Sequence, residues 1–250
     1  MRDNMLAKIH ASLIGIQGCL RRVREVVYWP QMDKDVAAYV AKCDVCNSQP
    51  AEQGKEPLIC HELLTRPWEK IAVDLFDLNG TDFMMTVDYY SSLFEVDRLT
   101  SKTAEEVVKK LTAHLARHGI PDQLVSDNGQ PISSAKLQEF PNSYGFEHVT
   151  RSPAYPPSNV KAENVVKTAK NLLAKSVKSE QDPFLVLLVM DWRNTPTETL
   201  NSSPVQRLFG TRTKTRPPTS NQLLKPKLSE EVSQKLKQRK ACTTTRELRS

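Results

Sequence analysis

The stretch from Trp68 to Gly80 reads WEKIAVDLFDLNG. Within it Ile71, Val73 and Leu75 alternate with Ala72, Asp74 and Phe76, an apolar run too short for a helix and right for a buried strand. An aspartate in such a run is informative, because an unpaired buried charge is costly and normally marks a partner or a metal. Asn79-Gly80 favours a turn. Strands are then expected near Phe83 to Tyr89 and Leu93 to Leu99, followed by an amphipathic helix from about Thr103 to Arg117 that ends at Gly119 before Pro121.

Two further acidic residues stand in contexts that aim them at the same place. Asp127 follows Gln123-Leu124-Val125-Ser126, another strand signal, and precedes the turn pair Asn128-Gly129. Glu163 comes just after Tyr155-Pro156-Pro157-Ser158-Asn159, a helix-breaking loop ending in good N-cap residues, and opens a helical stretch reaching about Lys178. Taken singly, each reads as a charge facing water. Together, two aspartates on or at the end of strands and a first-turn glutamate form the oxygen-donor group that magnesium or manganese prefers, and two such ions about 3.5 to 4 Å apart stabilise both oxygens of a phosphodiester exchange. Lys167 and Lys170 lie four and seven residues beyond Glu163, on one side of a helix where a phosphate backbone can reach them.

These residues carry a family resemblance. WEKIAVD from Trp68 to Asp74, VSDNG from Val125 to Gly129 and SPAYPPSNVKAENVVK from Ser152 to Lys167 resemble the catalytic core of gypsy-type retrotransposon integrases, relatives of the retroviral integrases. Asp127 and Glu163 leave 35 residues between them, the separation that names that family's DDE triad. The resemblance runs from about Met5 to Lys227. It implies an α/β ribonuclease H-like core, a mixed five-stranded sheet flanked by helices, preceded by a small helical zinc-binding-like domain. It also implies that Asp74, Asp127 and Glu163 hold two magnesium or manganese ions, Asp74 bridging them, for 3′-end processing and strand transfer. By the same similarity Ser158, Asn159 and Lys161 lie near the DNA end, beside Lys167 and Lys170. Asp77, Asp82, Asp88 and Asp97 rival Asp74 for the first catalytic position; Asp74 is preferred because it alone sits in the matching string, and Asp88 is expected to be structural or exposed.

Upstream, Cys43-Asp44-Val45-Cys46 forms a CxxC pair after a helical segment, Asp33 to Ala41, and His10 closes an earlier segment, Met5 to His10. A CxxC alone reads equally as a redox pair or two buried thiols. The surrounding IHASLIGIQGCLRR and VVYWPQMDKDVAAYVAKCDVC resemble the HHCC zinc-binding domain that precedes the integrase core, where two His and two Cys close a tetrahedral structural site. This chain departs at Leu13, read as the second histidine position, so His10, Cys43 and Cys46 make an incomplete zinc set; Cys19 is a poor substitute, lying in a predicted helix. The core departs too: Val160 stands where the family has glycine, Pro157 where it has glutamine, and Gln130-Pro131-Ile132 differs in order. Pro141 is expected to break the helix that spans about Ser134 to Tyr144. Two readings follow. The first is an integrase-like protein of retroelement origin, possessing the triad whether or not it turns over; the other is a catalytically inactive nucleic-acid-binding protein of the same origin.

Composition sets the remaining bounds. The chain has 250 residues, 39% hydrophobic, a formal net charge of +6 and a pI near 9.0, compatible with a nucleic-acid partner. Five cysteines, no signal peptide and no apolar stretch of about 18 residues argue for a reduced compartment and no membrane span. The predicted organisation is a degenerate zinc-type domain over 1–48, a linker over 49–67, the catalytic core over 68–210, including a buried helix over Phe184 to Met190, and a polar basic tail over 211–250 with a further helix near Leu228 to Lys240. The resemblance implies DNA partners, both element ends and target, a homo-oligomer, and a nuclear protein or cytoplasmic nucleoprotein complex that is not secreted.

Overall fold

The structure, a computed structural model, describes residues 2–47, 64–127, 129, 134–150, 160–178, 191–197, 200–215 and 218–226. Four helices come first: α1 (Arg2–His10), α2 (Gly15–Val23), α3 (Met32–Ala41) and α4 (Asp44–Asn47). They enclose a small core of Leu6, Ile9, Cys19, Leu20, Val23, Met32, Val36 and Val40. The spacing of Met32, Val36 and Val40 puts one residue per turn on the buried side of α3.

The larger unit is built on a five-stranded sheet: β1 (Lys70–Leu78), β2 (Thr81–Asp88), β3 (Phe94–Arg98), β4 (Gln123–Ser126) and β5 (Glu147–Thr150), in the order β3-β2-β1-β4-β5. β1, β2 and β3 pair antiparallel, whereas β1-β4 and β4-β5 are parallel, so the sheet is mixed. The hairpin between β1 and β2 turns at Asn79 and Gly80, whose φ values of 52° and 74° are those of a two-residue turn with both central residues left-handed. Parallel pairing of β1 with β4 requires a crossover, and α5 (Ala104–His118) supplies it. Thr103 caps that helix by accepting from Glu106 N, and Gly119 ends it at φ 96°.

β1 is covered on both faces, which explains why apolar residues occupy both sides of it from Ile71 to Val73. Ile71 and Val73 pack with Val107, Leu111 and Leu115 of α5 on one side. Ala72 faces the other side with Met85, Phe94 and the Val165, Ala169, Leu172 and Leu173 stripe of α7 (Val160–Lys178). The helix α6 (Ala135–Tyr144) lies between β4 and β5 in sequence and contributes Leu137 and Phe140 to the α5 side. The break expected at Pro141 does not occur: α6 runs through it, held by those two buried side chains and closed by Gly145 N donating to Pro141 O at 2.8 Å.

Three short helices follow: α8 (Asp191–Asn194), α9 (Pro204–Phe209) and α10 (Asn221–Leu224). α9 begins with a capping box at Ser203 and Gln206 and ends at Gly210, φ 73°. The stretch beyond it, expected to begin a polar tail at 211, folds back in its described part. Arg212 is buried and pairs with Glu25, Arg212 N donates to Leu223 O at 2.8 Å, and Thr213 N donates to Asn194 Oδ1 at 3.0 Å. The expected helices over Phe184 to Met190 and Leu228 to Lys240, and the linker over 49–63, lie outside the described residues.

Candidate metal centre and active site

Two clusters gather the side chains singled out by the sequence. The first is in the N-terminal unit. His10 at the end of α1, Cys43 just before α4 and Cys46 within it present an imidazole nitrogen and two sulfurs that all lie within 4.8 Å of one another. His10 Nε2 is 3.3 Å from Cys46 Sγ. Burial, followed by the charge of Lys175, pushes the His10 pKa below its ordinary value, which favours the neutral imidazole that ligates a metal. Burial, then the neighbouring Cys43, raises Cys46 to about 11. Soft, convergent N and S donors of this kind suit zinc, with three of its four tetrahedral positions supplied by the described residues.

Leu13 does not contribute: its side chain is buried, its backbone is left-handed at φ 54°, and its carbonyl accepts from Lys175 Nζ at 3.4 Å. Cys19 is directed elsewhere, its Sγ donating to Ile9 O at 3.7 Å inside the apolar core, where burial raises its pKa to about 12.

The second cluster lies where the middle of β1 meets the end of β4. The β1-β4 register pairs Val73 with Ser126, so Asp74 and Asp127 stand side by side one residue further on. Alternation puts Asp74 on the face of Ala72, toward α7, and Asp127 on the face of Val125. Both line a cavity of ≈ 510 Å³ shared with Val166, Lys167, Lys170 and Asn171 of α7. Lys170 Nζ is 2.8 Å from Asp74 Oδ2 and 4.9 Å from the centroid of the Phe76 ring. Gly129 N donates to Asp127 Oδ1 at 3.3 Å, and a Cβ at that glycine would stand 3.3 Å from the same oxygen, so the turn keeps the carboxylate close to bare backbone.

Sequence reasoning missed the residues beneath Asp127. Ser126 Oγ donates to the Asp127 carbonyl at 3.0 Å and lies 2.8 Å from His148 Nε2 on β5, whose pKa burial lowers. The signal was available only through the β4-β5 pairing, which sequence spacing does not reveal. Glu163 is the fourth residue of α7, one turn before Lys167; its side chain and that of Lys161 lie outside the described residues, as do Ser158 and Asn159 altogether.

The rival aspartates are occupied elsewhere. Asp77 accepts from Gly80 N at 3.3 Å in the hairpin, Asp82 pairs with Lys102 at 2.6 Å, and Asp97 pairs with His114 at 2.6 Å. Asp88 is structural and fully buried, not exposed, because it accepts from Trp68 N at 3.0 Å, Tyr90 N at 3.2 Å, Ser91 N at 3.0 Å and Ser91 Oγ at 2.5 Å. Those donors fold the β2-β3 connection around one carboxylate.

Comparison with known proteins agrees with this architecture. The integrase zinc binding domain family matches residues 1–51. An uncharacterized protein of Caenorhabditis elegans, K02A2.6, is 31% identical over 235 residues, covering 90% of this chain and 18% of that protein. The Pro-Pol polyprotein of feline foamy virus is 23% identical over 221 residues, covering 84% and 19% respectively. The chain therefore spans about a fifth of the length of these relatives.

Among solved structures, the catalytic core domain of BIV integrase is similar with a TM-score of 0.50 and 19% identity, over 57% of this chain and 95% of that one. A chain of the simian T-cell lymphotropic virus intasome in complex with PP2A regulatory subunit B56 gamma is similar with a TM-score of 0.59 and 17% identity, over 90% and 78%. At that identity the likeness is one of fold, the ribonuclease H-like sheet of the integrase core behind its N-terminal helical domain. With the zinc-binding domain matched in residues 1–51 and this core behind it, the chain belongs to the Pol-derived integrases.

Proposed function

We propose that this chain processes the 3′ ends of retroelement DNA and joins them to target DNA. The observation that carries the reading is the placement of Asp74, midway along β1, beside Asp127, just past the end of the parallel strand β4, both facing one cavity lined by Lys167 and Lys170. The site fits a divalent cation: it offers hard carboxylate oxygens, and one of them already attracts the Lys170 ammonium. Asp74, Asp127 and Glu163 are the residues that would hold such a cation, magnesium or manganese, which when bound activates a water or 3′-hydroxyl and neutralises charge on the phosphodiester.

The chain's own side chains do the positioning. Lys167 and Lys170, with Lys161, Ser158 and Asn159, are assigned to the DNA backbone, where contacts fix orientation without reading sequence. Lys170 reaches the cavity with its ammonium over the Phe76 ring, which brings a phosphate-binding cation beside Asp74. Ser126 and His148 brace the backbone of Asp127 from beneath. The likeness to an intasome chain supports an oligomer assembled on DNA, and joining DNA to chromosomal targets would require the protein in the nucleus or in a cytoplasmic nucleoprotein complex.

A second reading, a DNA-binding protein without turnover, is favoured by one feature: Val160, β-branched, opens α7 where the resemblance expects glycine. Incubating the protein with a labelled duplex of its element's terminal repeat, in magnesium or manganese, beside Asp127→Asn and Glu163→Gln, separates the two. End-processed and joined products that vanish in both variants support integration. No product under either metal, with DNA binding intact, supports the second reading.

A further inference from the structure

Asp74 is engaged by a cation that the chain carries itself. Lys170 Nζ lies 2.8 Å from Asp74 Oδ2, with the two side chains 41% and 27% exposed, and the ammonium also rests over the Phe76 ring at 4.9 Å from its centroid. Lys170 and Asp74 belong to elements packed against each other, α7 and β1, and the pair lines the same cavity as Asp127. A divalent ion held by Asp74 must share that carboxylate with the ammonium or drive it off, since like charges within a few ångströms repel.

We propose that Lys170 is the resident counter-ion of Asp74 and makes divalent-cation binding and nucleic-acid binding depend on each other. This rests on the reading of Asp74 and Asp127 as a cation-holding pair. In the free protein Lys170 neutralises Asp74 and competes with the metal. When a phosphodiester anion enters the cavity, Lys170 swings to it, Asp74 is released, and the metal binds more tightly. The converse follows by thermodynamic reciprocity: metal on Asp74 frees Lys170 for the anion and tightens DNA binding by the same factor. Lys167 lines the same cavity with no ion pair to Asp74 among the described residues, so it serves the phosphate without this coupling. The arrangement favours a loaded metal site only when a phosphate backbone is in place.

The test is a manganese titration followed by the electron paramagnetic resonance signal of free Mn²⁺, with and without a blunt duplex DNA. It compares the wild type with Lys170→Met, which keeps an unbranched side chain and removes the charge, and with Lys167→Met and Asp74→Asn. Lys170→Met is expected to bind Mn²⁺ roughly two- to fivefold more tightly without DNA, the range of a partly exposed ion pair. The tightening that DNA produces in the wild type is expected to shrink in Lys170→Met and to persist more fully in Lys167→Met. Unchanged or weaker Mn²⁺ binding in Lys170→Met, or an undiminished effect of DNA, overturns the coupling while leaving the metal site standing, provided Asp74→Asn abolishes Mn²⁺ binding. Mn²⁺ binding indifferent to Asp74→Asn overturns both the coupling and the site it rests on.

Discussion

Arg22 of α2 and Asp191 of α8 form an ion pair at 2.7 Å with side chains only 4% and 1% exposed, which ties the N-terminal helical unit to the sheet-bearing unit through a dry contact. The guanidinium also donates to the Asp191 carbonyl at 2.8 Å and to Thr215 Oγ1 at 2.5 Å. A second arginine, Arg212, completes the clasp from the opposite direction by pairing with Glu25. Fork-shaped guanidinium groups suit such sites because they satisfy several acceptors at once.

Breaking the pair from one side strands a buried charge. Arg22→Met is therefore expected to cost about 3–5 kcal/mol, whereas the double change Arg22→Met with Asp191→Leu recovers much of the loss, since buried pairs exchange for apolar groups at little net cost. Urea unfolding of the full chain measures both. Hydrogen exchange adds a structural readout: residues 2–47 should lose protection in the single variant. Equal stability of Arg22→Met and wild type would show that the clasp holds nothing together.

The three-donor cluster makes a prediction about zinc that spacing alone could not. Cys43→Ser and Cys46→Ser are expected to lower zinc affinity by more than tenfold in calorimetric titration. Cys19→Ser is expected to leave it unchanged, because that sulfur faces Ile9 O inside the core. Chelation should lower the thermal midpoint of the wild type and leave Cys46→Ser where it was, since metal that binds only the folded form stabilises it. A zinc affinity equally reduced by Cys19→Ser would redraw the ligand set.

Glu95 links the sheet to α5 and α8. Its carboxylate meets His118 at 2.9 Å and Arg193 at 3.3 Å with its side chain 13% exposed. Burial pushes its pKa up, but the His118 hydrogen bond and the charges of Arg193, His114 and Arg117 outweigh that and bring it from 4.5 to about 2. A carboxyl depressed in the folded state contributes stability that is fully present above its unfolded pKa and is lost as pH falls through the folded value. The window therefore runs from about pH 5 down to about pH 2, and the contribution is on the order of 3 kcal/mol. Glu95→Gln should be less stable than the wild type at neutral pH, with the gap closing as the pH approaches 2. Parallel pH curves for the two proteins would refute the assignment.

Strands and helices around the site were legible because each had a local cause. The alternation through Ile71 to Phe76, Asn79-Gly80 at the hairpin, Thr103 and Gly119 at the ends of α5 and Gly210 after α9 each act within a few residues, so sequence reports them. What escaped depends on partners distant along the chain. The job of Asp88 is fixed by Trp68 N, twenty residues away, and that of Arg212 by Glu25 across the molecule. Helical spacing from Glu163 sets Lys170 on the same side as Lys167 but does not report its pairing with Asp74 on β1, because the packing of α7 on the sheet decides what its stripe meets.

Pro141 is the instructive miss, and it carries the last prediction. Proline at the seventh position of α6 removes the donor that would reach Leu137 O and crowds that carbonyl, a loss of about 3 kcal/mol relative to alanine in a helix interior. The helix persists because its partners lie elsewhere: Leu137 and Phe140 are buried against α5 and β1, and Phe140 packs on Phe146 at 5.7 Å and on Tyr144 at 4.9 Å. Pro141 is itself buried, so replacing it restores a hydrogen bond and relieves the crowding but gives up some apolar contact. Pro141→Ala is therefore expected to stabilise the chain by about 1–2 kcal/mol, less than the full propensity difference, with an unchanged denaturant slope because the folded surface is the same. A loss of stability in Pro141→Ala would mean that the ring's packing, and not tolerance of a poor helix residue, is what keeps proline at that position.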